Sequence, residues 1–199
     1  MPPATATTNA KKRRPITLWE QLPLDLGGVV VHWRYSGPVR RSRHFGRIRE
    51  RLEFVRGFFP ELEGVCVRVG LARSRGILGS CSLDPDDPAI WVRPKLADAF
   101  TMTHELTHLL QARSLIPGGE RACDLYALTR SPLLIDSGPT YLKVPEEIRH
   151  ATSLDTATRM LLHDVAVRAL RRREAGQRNY LRHFELTFER EYTTGLRFA

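Results

Sequence analysis

The stretch "TMTHELTHLLQ", residues 101–111, places two histidines four residues apart, with a glutamate directly after the first. Positions i and i+4 lie on one face of an α-helix, so His104 and His108 can direct both imidazoles at one point, as a tetrahedral zinc ion requires. Glu105 can then reach a water held on the metal and accept its proton as the water attacks a carbonyl. The stretch predicts a helix with two zinc ligands and a general base.

A third ligand is expected shortly after this helix, because a catalytic zinc needs three protein ligands and one open position. The chain breaks at "PGG" (117–119), and Glu120 then opens a second helical segment with Asp124 one turn further on. If this segment folds back on the first, Glu120 completes a His/His/Glu set and Asp124 accepts the ring N–H of a ligating histidine. The alternative is that Glu120 is an ordinary acidic residue in a helix's first turn, where the helix dipole favours it.

Composition and charge limit the class of protein. No apolar run in the 199 residues is long enough to span a membrane, and the N-terminal stretch lacks the apolar core of a secretion signal. A cytoplasmic protein without a membrane partner is expected. Of the net charge of +9, residues 1–60 contribute +8 (12 Lys/Arg, 4 Asp/Glu), residues 61–150 contribute −2 (10 and 12), and residues 151–199 contribute +3 (9 and 6). Such basic flanks form a solvated surface or attract nucleic acid or an acidic partner.

The three cysteines are an odd number without a CxxC pair. This argues against a disulfide framework and against a cysteine-based zinc ribbon, and small buried apolar residues in a reducing compartment are expected instead.

Hydrophobic periodicity predicts an α+β fold. Strands are expected over 28–35, 64–72, 76–83 and 89–94, and helices over 45–59, about 96–113, 120–130, 153–174 and 177–191. They would form a small mixed β-sheet with an active-site helix and a following glutamate helix, plus a helical C-terminal extension. Residues 1–15 are expected to be a disordered basic tail, residues 16–146 the domain that carries the site, and residues 147–199 an extension packed on or next to it.

The histidine motif and the segment that begins at Glu120 resemble those of a known family. "HELTH" followed by "ERACD" is similar to the gluzincin pattern of metallopeptidases, HExxH then ExxxD, as found in thermolysin-like enzymes. The short link between the two helices, together with "CDLYALTRSPLLID", looks most like the minigluzincins, which are compact single-domain relatives. The resemblance covers roughly residues 45–145. The short link departs from the larger gluzincins, so their substrate pocket and C-terminal domain do not carry over.

The resemblance implies a zinc metalloendopeptidase that acts on a peptide or protein, with residues 16–146 as a minimal metallopeptidase domain. Zn²⁺ would be held by His104, His108 and Glu120, with Glu105 as the base and Asp124 supporting a ligating histidine.

The resemblance also implies an edge strand that receives an extended substrate by backbone pairing. Here that would be "AIWVRP" (89–94), with Trp91 or Arg93 facing the cleft, although Trp91 is also typical of a half-buried core residue. Such enzymes need one more donor to stabilise the oxyanion. The sequence leaves several candidates open, namely Tyr141, His150, His163 and Arg130, and Tyr126 could equally be a packing residue.

Two other classes remain. In one, a third histidine replaces the glutamate as ligand, but the chain has no histidine between His108 and His150. In the other, the protein is a non-catalytic zinc-containing binding module whose basic flanks contact nucleic acid or an acidic partner. A peptidase held latent by its own C-terminal helices lies between this module and the active enzyme.

Overall fold

A computed structural model describes residues 30–72, 79–95 and 98–196 of the protein. The expected tail over residues 1–15 lies outside the described residues, and so do the first residues of the strands expected over 28–35 and 76–83. The strands are β1 His32–Tyr35, β2 Cys66–Leu71, β3 Gly79–Cys81 and β4 Ala89–Val92. The α-helices are α1 Gly37–Arg40, α2 Phe45–Arg56, α3 Ala99–Ala112, α4 Glu120–Leu128, α5 Glu146–Arg149, α6 Thr156–Glu174 and α7 Tyr180–Leu196, with 3-10 turns at Pro60–Leu62 and Pro132–Leu134.

The four strands form one mixed sheet in the order β1-β2-β4-β3. Strands β1, β2 and β4 are parallel, with His32 opposite Cys66 and Gly70 opposite Trp91. Strand β3 runs antiparallel to β4, with Gly79 opposite Val92. The mixed α/β architecture with a small mixed sheet is therefore confirmed.

The expectation that "AIWVRP" is the substrate-binding edge strand is wrong. Strand β4 pairs with β2 on one side and with β3 on the other, so its backbone groups are already committed to the sheet. Trp91 lies within this interior strand and Arg93 directly follows it. Among the described strands, β1 and β3 form the two edges.

One face of the sheet packs into the hydrophobic core. Alternate residues of β2 and β4 point to that face, and Val67, Val69, Ile90 and Val92 are fully or almost fully buried there. In α7, aromatic residues recur every four positions (Tyr180, Phe184 and Phe188), a spacing that predicts core packing. The structure confirms this prediction, because all three lie in the same core and both phenylalanines are completely buried.

Helix α3 begins at Ala99 because two carboxylates satisfy its first amides. Asp98 accepts a hydrogen bond from the Thr101 amide at 2.6 Å. Asp136, almost forty residues away, accepts the amides of Ala99 and Phe100, each at 2.9 Å. The first four amides of a helix have no partner within it, so these contacts replace water at a buried helix end.

Smaller differences from the sequence predictions concern the surface. The basic stretch "SGPVRRSRHFG" (36–46) has no hydrophobic periodicity and predicts a loop, but a proline in the first turn starts the single-turn helix α1 there. All three cysteines are free as expected, yet Cys66 is exposed rather than buried.

In the described part of the chain, no helix has both the length and the apolar character needed to cross a membrane.

Replacing Asp136 with alanine should destabilise the fold. The change removes the acceptor of two amides and the partner of Arg51 (2.8 Å), and we expect a loss of about 1–3 kcal/mol in the free energy of unfolding. Urea denaturation followed by circular dichroism measures this. Asp164→Ala, at an exposed position, is the control and should change stability by less than about 0.5 kcal/mol. Equal stabilities of the two variants would show that Asp136 does not hold α3.

Candidate metal centre

The two histidines of α3 direct their ring nitrogens at one carboxylate oxygen. Nε2 of His104 lies 3.2 Å from Oε2 of Glu120, and Nε2 of His108 lies 3.1 Å from the same atom. The two rings lie 4.6 Å apart at an interplanar angle of 84°. The helical spacing and the second helix therefore bring three candidate ligand atoms to one point.

The other ring nitrogen of each histidine is also held. Nδ1 of His104 lies 2.8 Å from Oδ1 of Asp124, which is completely buried. Nδ1 of His108 lies 2.6 Å from Oε1 of Gln111. When each Nδ1 donates its proton to these oxygens, the lone pair is left on Nε2, where a metal would take it.

The turn between α3 and α4 sets the position of Glu120. Gly119 has φ of +99°, in the region that favours glycine, and it directly precedes Glu120, the first residue of α4. Gln111 donates to the carbonyl oxygens of Pro117 (2.7 Å) and Gly119 (3.0 Å). Gln111 thus orients His108 and fixes the turn, a role that the sequence analysis missed. The sequence feature that could have predicted this role is the position of Gln111 three residues after His108, on the same face of the helix.

The donor set fits a zinc ion. Ligands about 2.0–2.1 Å from a tetrahedral zinc lie about 3.3 Å from one another. The two distances from Nε2 to Glu120 Oε2 are close to this separation. Zn²⁺ would therefore be held by His104, His108 and Glu120, which leaves the fourth position open.

A second ligand set is also possible, because the Cys123 sulfur lies with the two histidine nitrogens in a cluster that could hold a metal. However, this sulfur is completely buried and contacts the backbone oxygen of His104 at 3.1 Å. Burial raises the pKa of the Cys123 thiol to about 11. Hydrogen bonding to His104 instead lowers the pKa of Glu120 and keeps it ionised. The protein thus presents a carboxylate and a neutral thiol at the same site.

Protonation of the histidines opposes metal binding. Burial is the largest single effect and would lower the pKa of His104, but the hydrogen bonds to Asp124, Cys123 and Glu120 together outweigh burial and raise the pKa above the ordinary value. Because a metal takes the unprotonated nitrogen, metal affinity at this site rises with pH.

Glu105 is buried beside this centre, with only 4% of the residue exposed. Its Oε2 has no hydrogen-bond partner among the described residues. Burial raises the pKa of Glu105 to about 7. A buried carboxylate without a partner is costly to keep, and such groups are common where a protein exchanges protons.

The edge strand β3 lies directly against Glu105. A Cβ atom added to Gly79 would come within 2.4 Å of Oε1 of Glu105, so only glycine leaves room for the carboxylate. Cys81 points to the same face of the sheet two residues later, and burial followed by the charge of Glu105 raises the pKa of its thiol to about 12. The edge strand that lies against Glu105 is therefore β3.

Tyr141 is the oxyanion candidate that the structure places at the centre. Its ring stacks on His104, with centroids 5.6 Å apart and an interplanar angle of 21°. Its amide donates to Oδ2 of Asp124 at 2.6 Å, and the residue is 48% exposed. Burial and the charge of Glu120 raise the pKa of the Tyr141 hydroxyl, which keeps it a proton donor at neutral pH.

The other candidates have structural contacts elsewhere. Arg130 is buried, lies over the Phe59 ring and pairs with Glu61 at 2.9 Å. His150 ends α5 on the surface and, within the described chain, makes no side-chain hydrogen bond to the centre. His163 contacts the Leu128 carbonyl at 2.9 Å, and the Tyr126 hydroxyl accepts from Arg173 at 3.0 Å. Among the described residues, neither Arg130 nor His150 thus contacts the ligands of the centre, whereas Tyr141 does.

The C-terminal extension contributes a buried carboxylate that supports the centre. Oε1 of Glu185, on α7, accepts from Nη2 of Arg121 at 2.6 Å and from the Lys143 amide at 3.0 Å. Arg121 follows Glu120, and Lys143 lies two residues after Tyr141. Helix α7 thus holds both segments, a role that the sequence analysis missed because no local pattern marks Glu185.

No protein-family model, curated protein or solved structure matches this chain. The resemblance to gluzincins therefore rests on the residues and spacing of the two sequence motifs alone.

Two substitutions distinguish the two ligand sets. We expect Glu120→Ala to lower zinc affinity by at least about 100-fold, because it removes a ligand, and Cys123→Ala to leave affinity nearly unchanged. Competition with a chromophoric chelator at constant pH measures both. The opposite ranking would assign the third ligand to Cys123.

Proposed function

We propose that the protein is a zinc-dependent metallopeptidase that hydrolyses peptide bonds, with Glu105 as the general base. The observation that supports this most directly is the convergence of His104, His108 and Glu120 beside the buried carboxylate of Glu105, whose Oε2 has no hydrogen-bond partner in the described part of the chain. A structural zinc site is usually closed and rich in cysteine, whereas this set leaves one position open.

The roles proposed for a bound zinc ion and for Glu105 follow from the contacts of these residues. A zinc ion held there would polarise the substrate carbonyl and make water acidic enough to deprotonate near neutral pH. Glu105, which is not in the ligand set, accepts a proton at its free oxygen and later delivers it to the leaving amine. Its raised pKa, about 7, suits a group that must both take up and release a proton near neutral pH.

The proposed substrate is an extended peptide that pairs with the outer edge of β3. This strand is the sheet edge beside Glu105, and strand addition needs only unpaired backbone groups. A peptide in that position would pass directly in front of the three ligands.

Tyr141 is the proposed donor to the developing oxyanion. Its ring lies over His104, and its backbone is held by the same Asp124 that orients this histidine. A donor held in this way does not have to reorganise during the reaction, which is the condition for strong electrostatic stabilisation.

The rival proposal is a zinc-containing binding module without activity. The two proposals make different predictions for Glu105. In a binding module, a carboxylate that does not bind the metal has no catalytic role.

Glu105→Gln should keep zinc and lose turnover. The amide has nearly the same shape as the carboxylate but cannot accept the proton, so we expect about one zinc per chain and cleavage lowered by at least about 100-fold. Metal analysis and cleavage of a fluorogenic peptide library measure these quantities. Glu189→Gln on the surface of α7 is the control and should cleave like the parent. Undiminished cleavage by Glu105→Gln would rule out the proposed base.

Tyr141→Phe should lower kcat by about 100-fold with little change in zinc content, because it removes only the hydroxyl donor. Tyr126→Phe is the matched control, since its hydroxyl contacts Arg173 away from the centre. Single-turnover cleavage of the same peptides checks both variants. Parental rates in Tyr141→Phe would show that another group stabilises the oxyanion.

A further inference from the structure

The sheet has a second face that carries a different set of side chains. Residues of β1, β2 and β4 that alternate with the core positions point there, including Arg34, Arg68 and Trp91. These side chains line a shallow cavity of about 490 Å³. The cavity lies on the face of the sheet opposite the core face, on which Glu105 packs against Gly79.

Trp91 forms a flat apolar platform in this cavity. Its indole lies against Gly70 on the neighbouring strand, where an added Cβ would come within 2.3 Å of Cδ1 and 2.6 Å of Nε1. Trp91 is only partly buried, unlike Ile90 and Val92 beside it. The absence of a side chain at Gly70 is thus what lets the indole lie flat on the sheet.

A track of arginines begins at the edge of this platform. Residues 30–51 contain seven arginines and one glutamate. In the described part of the chain, only Arg51 of the seven pairs with a carboxylate, that of Asp136. The guanidinium of Arg41 folds over Gly37, within 3.3 Å of where a Cβ would stand, next to Ser36 in the cavity wall. The positive charge therefore runs from the cavity along α1 to the start of α2.

Two observations show where the positive charge of this surface lacks a negative partner. Arg68 pairs with Asp87, so Arg34 is the exposed arginine of the cavity that is left without a carboxylate among the described residues. At the far end of the track, desolvation and then the charges of Arg43 and Arg47 lower the pKa of His44. Both details indicate a field of uncompensated positive charge, which favours a polyanion.

We propose that this face binds single-stranded nucleic acid, with a base stacked on Trp91 and phosphates on Arg34 and Arg41. A single strand is favoured over a duplex because stacking needs an unpaired base whose flat side is accessible. The site is independent of the proposed peptidase activity, because none of its residues lies in the metal centre.

The test uses the full chain and a fluorescently labelled thymidine oligomer of about 20 nucleotides, followed by anisotropy over a salt titration. We expect Trp91→Ala to weaken binding roughly five- to tenfold and Trp91→Phe to recover most of the loss. Arg34→Ala should weaken binding and reduce the slope of log affinity against log salt by about 0.7. Arg171→Ala removes the same charge from the exposed side of α6 and should bind like the parent.

Thermal unfolding of each variant shows whether it is folded, and quenching of tryptophan fluorescence that disappears in Trp91→Phe gives a second sign of stacking. Parental binding by both Trp91→Ala and Arg34→Ala would assign the affinity to other basic segments and overturn the proposal. Binding a duplex of the same length at least as tightly as the single strand would also overturn it.

Discussion

The buried carboxylate of Asp124 is the point at which three segments of the chain meet. One oxygen accepts from Nδ1 of His104 on α3, and the other accepts the backbone amides of Tyr141 and Leu142. Asp124 itself lies on α4, so a single side chain fixes two helices and the segment that follows them. A buried charge is stable only when hydrogen-bond partners replace the water that it has lost. If one partner is removed, the groups left behind stay buried without a partner, which destabilises the fold.

The rest of the centre follows from this constraint. With the His104 ring fixed by Asp124 and the His108 ring fixed by Gln111, both Nε2 atoms face the first residue of α4. The left-handed conformation of Gly119 starts α4 where Glu120 can meet them. Glu185 then anchors the residue after Glu120 and the backbone near Tyr141, which makes α7 a support for the centre.

The parts of this arrangement that follow from local sequence could be predicted. The spacing of His104 and His108 follows from helix geometry, and the break before Glu120 identifies a second helix that folds back on the first. The strand order could not be predicted, because alternating residues show which face is buried but not which strands are neighbours. The resemblance to gluzincins implied a sheet edge at β4, whereas β3 returns antiparallel and occupies that edge. Asp136 and Glu185 were missed for a related reason, since each acts on residues dozens of positions away.

The proposed chemistry depends on zinc being bound by His104, His108 and the carboxylate of Glu120. The X-ray absorption spectrum of the protein loaded with one equivalent of zinc distinguishes this ligand set from the alternative, since sulfur and nitrogen or oxygen ligands differ in distance and scattering. We expect only nitrogen and oxygen neighbours, at about 2.0–2.2 Å. A sulfur neighbour at about 2.3 Å would place Cys123 in the ligand set and rule out the set of two histidines and Glu120.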